Sequence, residues 1–301
     1  MPAIDINRGT TNVINDPEIS REIWANALSE SFFMSHGRRV SLPGEGVKIQ
    51  TVTGEPTANW VAETAAKPIS THTFGTKTIT PYKLAVIEPF SDEFVRDKRA
   101  LYDELVRRLP NAIARKFDST IMGTTAPGTG FDVLGNSTKV SLNPAQGSTL
   151  YDQFLTVDAA IADGGGMMDI IGLAPAGKTK VQGAVDQVGH PLFTPGVDSA
   201  AVGNILGART EFNKNLFVAG TAGTPGTPAI VGIAGDFSDA IFGVVENITI
   251  EFSREATLVN GDTTINLWQN NMIAVKCEAT VAWAVKSTSE FVLLTGDVPS
   301  A

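Results

Sequence analysis

The chain has 301 residues, 43% of them hydrophobic, and a formal charge of −9, which is enough apolar material for a core that needs no metal or disulfide. Such an acidic balance excludes tight nucleic-acid binding, whose affinity comes from lysine and arginine neutralising phosphates, and leaves only weak, sequence-blind contact open. With one cysteine, Cys277, no secretory signal at Met1-Pro-Ala-Ile-Asp and no apolar run near the ~20 residues of a membrane span, the sequence reads as a protein made in a cytoplasm and not inserted in a bilayer.

In chain order, the first 40 residues are polar and irregular except for a helical pattern over 17–33, with Ile19, Ile23, Trp24, Ala27 and Leu28 on one side. This reads as an arm with one docked helix. Residues 47–86 read as a long hairpin: Val47, Ile49, Thr51 and Thr53 alternate, and Thr76, Thr78 and Thr80 run back towards Leu84 and Val86. Between Gly54 and Gly75 the only large apolar residues are Trp60, Val61, Ile69 and Phe74. A two-stranded ribbon with so little to bury does not stand alone in water, so it should lie against its own domain or a neighbouring copy, with a disordered loop as the alternative.

Ser91, followed by Asp92 and Glu93, marks a helix start. Leu101, Leu105, Leu109, Ile113, Phe117 and Ile121 then recur every four residues, which predicts a helix over 99–122, about 36 Å long at 1.5 Å per residue. Arg107, Arg108, Asn111, Arg115 and Asp118 fall on its opposite, polar side, and Pro110 inside it predicts a kink.

Residues 145–245 read as alternating helix and strand. Leu150, Phe154, Val157 and Ile161 give a helix, Gly164-Gly-Gly breaks it, and residues 168–173 suit a buried strand. Pro175 opens a second helix carrying Val181, Val185 and Val188, and the Gly/Thr/Pro stretch at 220–228 is a loop. The remainder is β. Ile248, Ile250 and Phe252 alternate, Asn260-Gly261 marks a turn, and strict period two runs from Ile273 to Val285. A strand that long, against a usual ~5 to 6 residues, is expected to bend and to tie two substructures together.

No constellation of catalytic residues emerges. His36, His72 and His190 lack metal-ligand spacing, the glycine clusters lack a following Gly-Lys-Ser/Thr, and Cys277 sits in an alternating apolar run, as a core residue does. The reading is therefore of a protein that associates and catalyses nothing, with no cofactor.

Several motifs carry a family resemblance. Glu55-Pro-Thr-Ala-Asn-Trp60-Val-Ala-Glu63-Thr-Ala-Ala-Lys67-Pro68, Thr78-Ile-Thr-Pro81-Tyr-Lys83 and Ser91-Asp-Glu-Phe-Val-Arg-Asp97 are followed by Gly235-Asp-Phe-Ser238, Ile248-Thr-Ile-Glu-Phe-Ser253-Arg-Glu-Ala256 and Gln269-Asn-Asn-Met272. In their order over roughly residues 20–295 they resemble tailed-bacteriophage major capsid proteins with the Hong Kong 97-like fold. That resemblance implies an α+β fold made of an N-terminal arm (1–40), an extended β-hairpin loop (49–82), a peripheral domain (41–48, 83–145 with the long spine helix, and the strands of 247–285), and an axial α/β domain (146–246 with a terminal strand in 286–301).

It further implies a subunit of the virion, assembled in the host cytoplasm as hexamers and pentamers into an icosahedral head around double-stranded DNA, beside a portal and possible decoration proteins. Because the sequence reaches the arm almost at once from Met1, a separate scaffold, or none, is expected. Trp60, Val61, Glu63 and Lys67 are the expected contacts between subunits, and Arg107, Arg108 and Arg115 are candidates for facing the lumen. Lys67 and Lys77 lie in or beside the loop, but no acceptor aligns to Asn260, Asn266, Asn270 or Asn271, so no isopeptide crosslink is expected. An encapsulin-like nanocompartment shell, which shares the fold, is the alternative reading.

Overall fold

The computed structural model describes residues 30–54, 57–61, 66–70, 73–144, 147–185, 188–190, 192, 203–222, 226–261 and 263–298. Two sheets dominate it. The first has four strands in the order β1 (Arg38–Ser41), β9 (Ile241–Ser253), β12 (Met272–Ala284) and β4 (Tyr82–Ser91), with β1 parallel to β9 and the other pairs antiparallel. Pro89 lies in β4, at the sheet's edge, where a missing backbone donor costs no ladder bond.

The second sheet has five strands, in the order β5 (Thr138–Ser141), β13 (Phe291–Thr295), β8 (Ile230–Gly235), β6 (Ile170–Leu173) and β7 (Arg209–Phe212). Among the described residues two hairpins complete the β structure, β2 (Val47–Gly54) with β3 (Thr73–Ile79) and β10 (Thr257–Asn260) with β11 (Thr263–Asn266).

Strand β13 explains how the two sheets share a core. Its run Phe-Val-Leu-Leu is apolar without alternation because both faces are covered. Phe291 and Leu293 join the large core under the first sheet, while Val292 and Leu294 join a second core on the other side. That second core is closed by α4 (Leu150–Asp163), whose Leu150, Phe154, Val157 and Ile161 are all buried and whose start is fixed by a capping box between Thr149 and Asp152.

The first core is built on α3 (Arg99–Ile121), which follows the short α2 (Asp92–Asp97), continues through Pro110 and ends as expected before Gly123. Leu109, Ile113, Phe117 and Ile121 point into it. A chain of edge-on aromatic contacts crosses from one sheet to the other: Phe291 to Phe237 at 5.1 Å, Phe237 to Phe32 at 5.6 Å, Phe33 to Trp283 at 5.3 Å, and Phe117 to Phe242 at 5.4 Å. Each such pair adds about 0.5–1.5 kcal/mol beyond the area it buries. Phe32 and Phe33 belong to α1 (Phe32–His36), so this short helix is wedged at the joint. Gly37 behind it can only be glycine, since a Cβ would come within 2.6 Å of the Trp283 ring.

Several expectations change. Residues 17–29 of the expected arm helix lie outside the described residues, and the helix described at Phe32–His36 overlaps the end of that expectation at Phe32 and Phe33 and runs three residues past it. The hairpin's return strand stops at Ile79; Leu84 and Val86 belong instead to β4 in the first sheet, beyond Pro81. Helix α5 (Pro175–Gln182) ends at Gly183, so Val181 is buried but Val185 and Val188 are exposed and outside the helix.

Strand β12 does not span both sheets. Its 13 residues pair only with β4 and β9, with register shifts between Glu278 and Val281, and the 3-10 turn Thr288–Glu290 carries the chain into β13. Asp118, expected on the polar side of α3, is completely buried, because α1 and the 3-10 turn Lys214–Leu216 fold over it and supply donors.

Candidate interaction surface

The ribbon formed by β2 and β3 is held firmly at one end and bare at the other. At its base, Ile79 and Leu42 pack on Ala282 and Ala284, with Val47 and Ile49 alongside. The alanines keep β12 low enough for this, and Gly243 beside them leaves room for Leu42, whose Cδ1 lies 2.3 Å from where a Cβ would stand. A polar clamp adds to the seat. The Lys77 ammonium lies 2.6 Å from Asp132 Oδ2 and also donates to the Val285 carbonyl, and Asp132 Oδ2 accepts from the Val285 N–H at 2.8 Å.

At the far end the flanks 57–61 and 66–70 are exposed throughout, joined by a hydrogen bond from the Thr57 N–H to Ser70 Oγ at 2.9 Å. Trp60 is 105% and Ile69 94% exposed. Isolated surface apolar residues are ordinary, but an indole and an isoleucine bared together at the end of a ribbon form a surface that gains by being covered.

Of the residues picked out from sequence, Trp60 and Val61 lie exposed on the first flank and Lys67 on the second, whereas Glu63 lies outside the described residues. Arg108 and Arg115 are both exposed on α3, two turns apart, and the Arg115 Nε donates to the Asn111 carbonyl at 3.2 Å. Arg107 shares that helix, but its side chain lies outside the described residues. Tip and arginines sit on different elements and form no common site.

Sequence reasoning missed a second bare patch, on the hairpin of β10 and β11: Val259 is 71% and the following Trp268 75% exposed. Its signal is the one the ribbon carries, since two strands of four residues cannot bury a tryptophan.

Beside the ribbon's base, between β4 and the C-terminal half of α3, lies an apolar cleft of about 330 Å³ with Leu84, Phe117, Phe131 and Val281 among its lining residues. Cys277 is fully buried in β12, and burial pushes its thiol up to about 12, a poor nucleophile. His36 spends its ring on structure, with Nε2 3.1 Å from Glu211 of β7 and Nδ1 2.8 Å from the Phe32 carbonyl. No helix among the described residues is long and apolar enough to cross a membrane.

Comparisons with known proteins agree with one another. The sequence model of the Phage capsid family matches residues 12–296. A probable major capsid protein of Mycobacterium phage D29 is 30% identical over 298 residues, covering 94% of this chain and 90% of that protein. Among solved structures, a chain from Mycobacterium phage Adephagia superposes with a TM-score of 0.71 at 23% identity, covering 90% of this chain and 91% of that one. One from Gordonia phage Cozz reaches 0.73 at 18% identity, covering 90% and 87%. The chain belongs to the phage capsid family, with the α+β, Hong Kong 97-like fold of tailed-phage major capsid proteins.

Proposed function

We propose that this major capsid protein assembles with itself, as hexamers and pentamers, into an icosahedral head that encloses double-stranded DNA, in the host cytoplasm and beside a portal, with its role structural and not catalytic. The first sheet with α3 would be the peripheral domain, and the second sheet, β5 included, the axial domain. The observation that carries this reading is the contrast along the ribbon between a base clamped to its own chain and a tip bearing a naked Trp60 and Ile69. A neighbouring copy covers that tip, with Trp60, Val61, Glu63 and Lys67 at the contact, because buried aromatics dominate interface energetics.

The curated relatives come from phages, which favours a phage head over an encapsulin-like compartment. Arg107, Arg108 and Arg115 would turn to the lumen and touch DNA weakly.

Electron microscopy of purified wild-type and Trp60→Ala protein tests the reading. Wild type forms closed shells, and the variant, folded by circular dichroism, gives about tenfold fewer or none, as expected for loss of a contact worth 1.4 kcal/mol or more at each repeated interface. A wild-type protein that never assembles, or a variant with normal yield, overturns it.

A further inference from the structure

We infer that the apolar cleft between β4 and α3 is the receptor on one copy for Trp60 of the next. This rests on the proposal that a neighbour covers the ribbon's tip, and it names the place. The cleft, about 330 Å³, is at the small end of the roughly 300–1,000 Å³ typical of small-molecule pockets, a size suited to one large side chain. Tyr82, Leu84, Ala126 and Pro127 offer an indole an apolar surface over a floor of the buried Phe117, Phe131 and Val281.

Charge matches as well as shape. Lys83 and Lys116 line the cleft, and the ionic groups nearest Trp60 in sequence are both acidic, Glu55 and Glu63. Lys83 is 3.4 Å from Glu278 on the outer face of β4, opposite Tyr82 and Leu84, so Lys116 is the lysine that a carboxylate beside the cleft would meet. Lys116 over the indole face adds a cation–π attraction.

The occupant has to come from another copy. The cleft begins at Tyr82, three residues past the ribbon's base at Ile79, while the paired strand runs outward from Ile79 to Thr73, roughly 20 Å at ~3.4 Å per residue. An intact ladder therefore carries Trp60 away from its own cleft.

The test uses wild-type shells assembled from equal parts of isotopically light and heavy chains, treated with a carbodiimide that joins touching carboxylates and amines without a spacer. Mass spectrometry is expected to find light–heavy peptides linking Glu55 or Glu63 to Lys116. An independent variant, Ala126→Trp, fills the cleft and should cut particle yield to the level of Trp60→Ala, with the double variant no worse than either. Light–heavy links that run only to other lysines, together with normal yield for Ala126→Trp, would overturn the cleft as receptor while leaving the clasped tip intact. Normal yield for Trp60→Ala, or no shells from wild type, would remove the reading beneath it.

Discussion

Asp118 joins three segments that are far apart in the chain. Its carboxylate accepts from Ser31 Oγ at 2.6 Å, from the N–H groups of Phe32 and Phe33 at 3.1 and 3.4 Å, and from Asn215 Nδ2 at 3.1 Å. It thus ties α1 to α3 and to the turn that flanks the second sheet. Asp118→Ala would strand the Ser31 hydroxyl and the Phe32 and Phe33 N–H groups, while Asn215 Nδ2 keeps the Glu30 carbonyl, and should destabilise the unassembled subunit by on the order of 3 kcal/mol, read as a fall in its thermal unfolding midpoint.

The pH dependence has a definite sign. Burial raises this carboxyl to about 6 even though the four donors pull the other way. A group raised on folding contributes stability that is complete below its unfolded value, near 4, and that disappears as pH climbs through 6. Between pH 4 and 7 the wild type should therefore lose roughly 2 to 3 kcal/mol relative to Asp118→Asn, whose side chain does not titrate. Parallel stability curves for the two proteins would rule this out. The Asn form is expected to be the weaker throughout, because its amide turns a donor towards donors, so the slope is the diagnostic quantity.

At the scale of elements, the ribbon is a lever whose fulcrum is the Lys77–Asp132 clamp. Lys77→Met keeps the stem and removes the ammonium, leaving Asp132 Oδ2 with the Val285 N–H. The seat should weaken by about 1–2 kcal/mol, seen as amide exchange roughly tenfold faster in β2 and β3 with α4 and β13 unchanged. Equal exchange in the ribbon would show that the apolar seat alone holds it.

Elements with a strong internal period were legible from sequence. The four buried positions of α4 recur at helical spacing, and β12 alternates from Ile273 onward, so each could be drawn nearly to the residue. What could not be read depends on distant partners. Helix α1 spans five residues, only the first two of them inside the expected 17–33 pattern, and it exists as a separate turn because Asp118, 86 positions from Phe32, accepts its first N–H groups. The same contact turned an apparently solvated aspartate into a buried one. At the surface, Trp60 was conspicuous because its surroundings are so poor in apolar residues, whereas Trp268 escaped notice beside the long strand that follows it.

For the whole molecule, the aromatic chain from Phe291 to Phe117 matters because assembly sums weak contacts, and that sum holds only if the sheets keep their mutual geometry when several edges are engaged at once. The net charge of −9 then sets a limit on what such a shell can do with an enclosed polyanion: it repels DNA on average and can hold it only through local positive patches. Arg108 and Arg115, exposed two turns apart on α3, are such a patch if that helix faces inward. Reversing both, Arg108→Glu with Arg115→Glu, leaves the core of α3 untouched, so shells should form in normal number. DNA retention in those shells should fall and lose part of its dependence on salt, since each phosphate contact removed lowers the slope of log affinity against log salt by about 0.9. Measuring DNA content of purified particles across a salt series decides it. Retention identical to wild type at every salt concentration would mean that this face of the helix does not meet the genome.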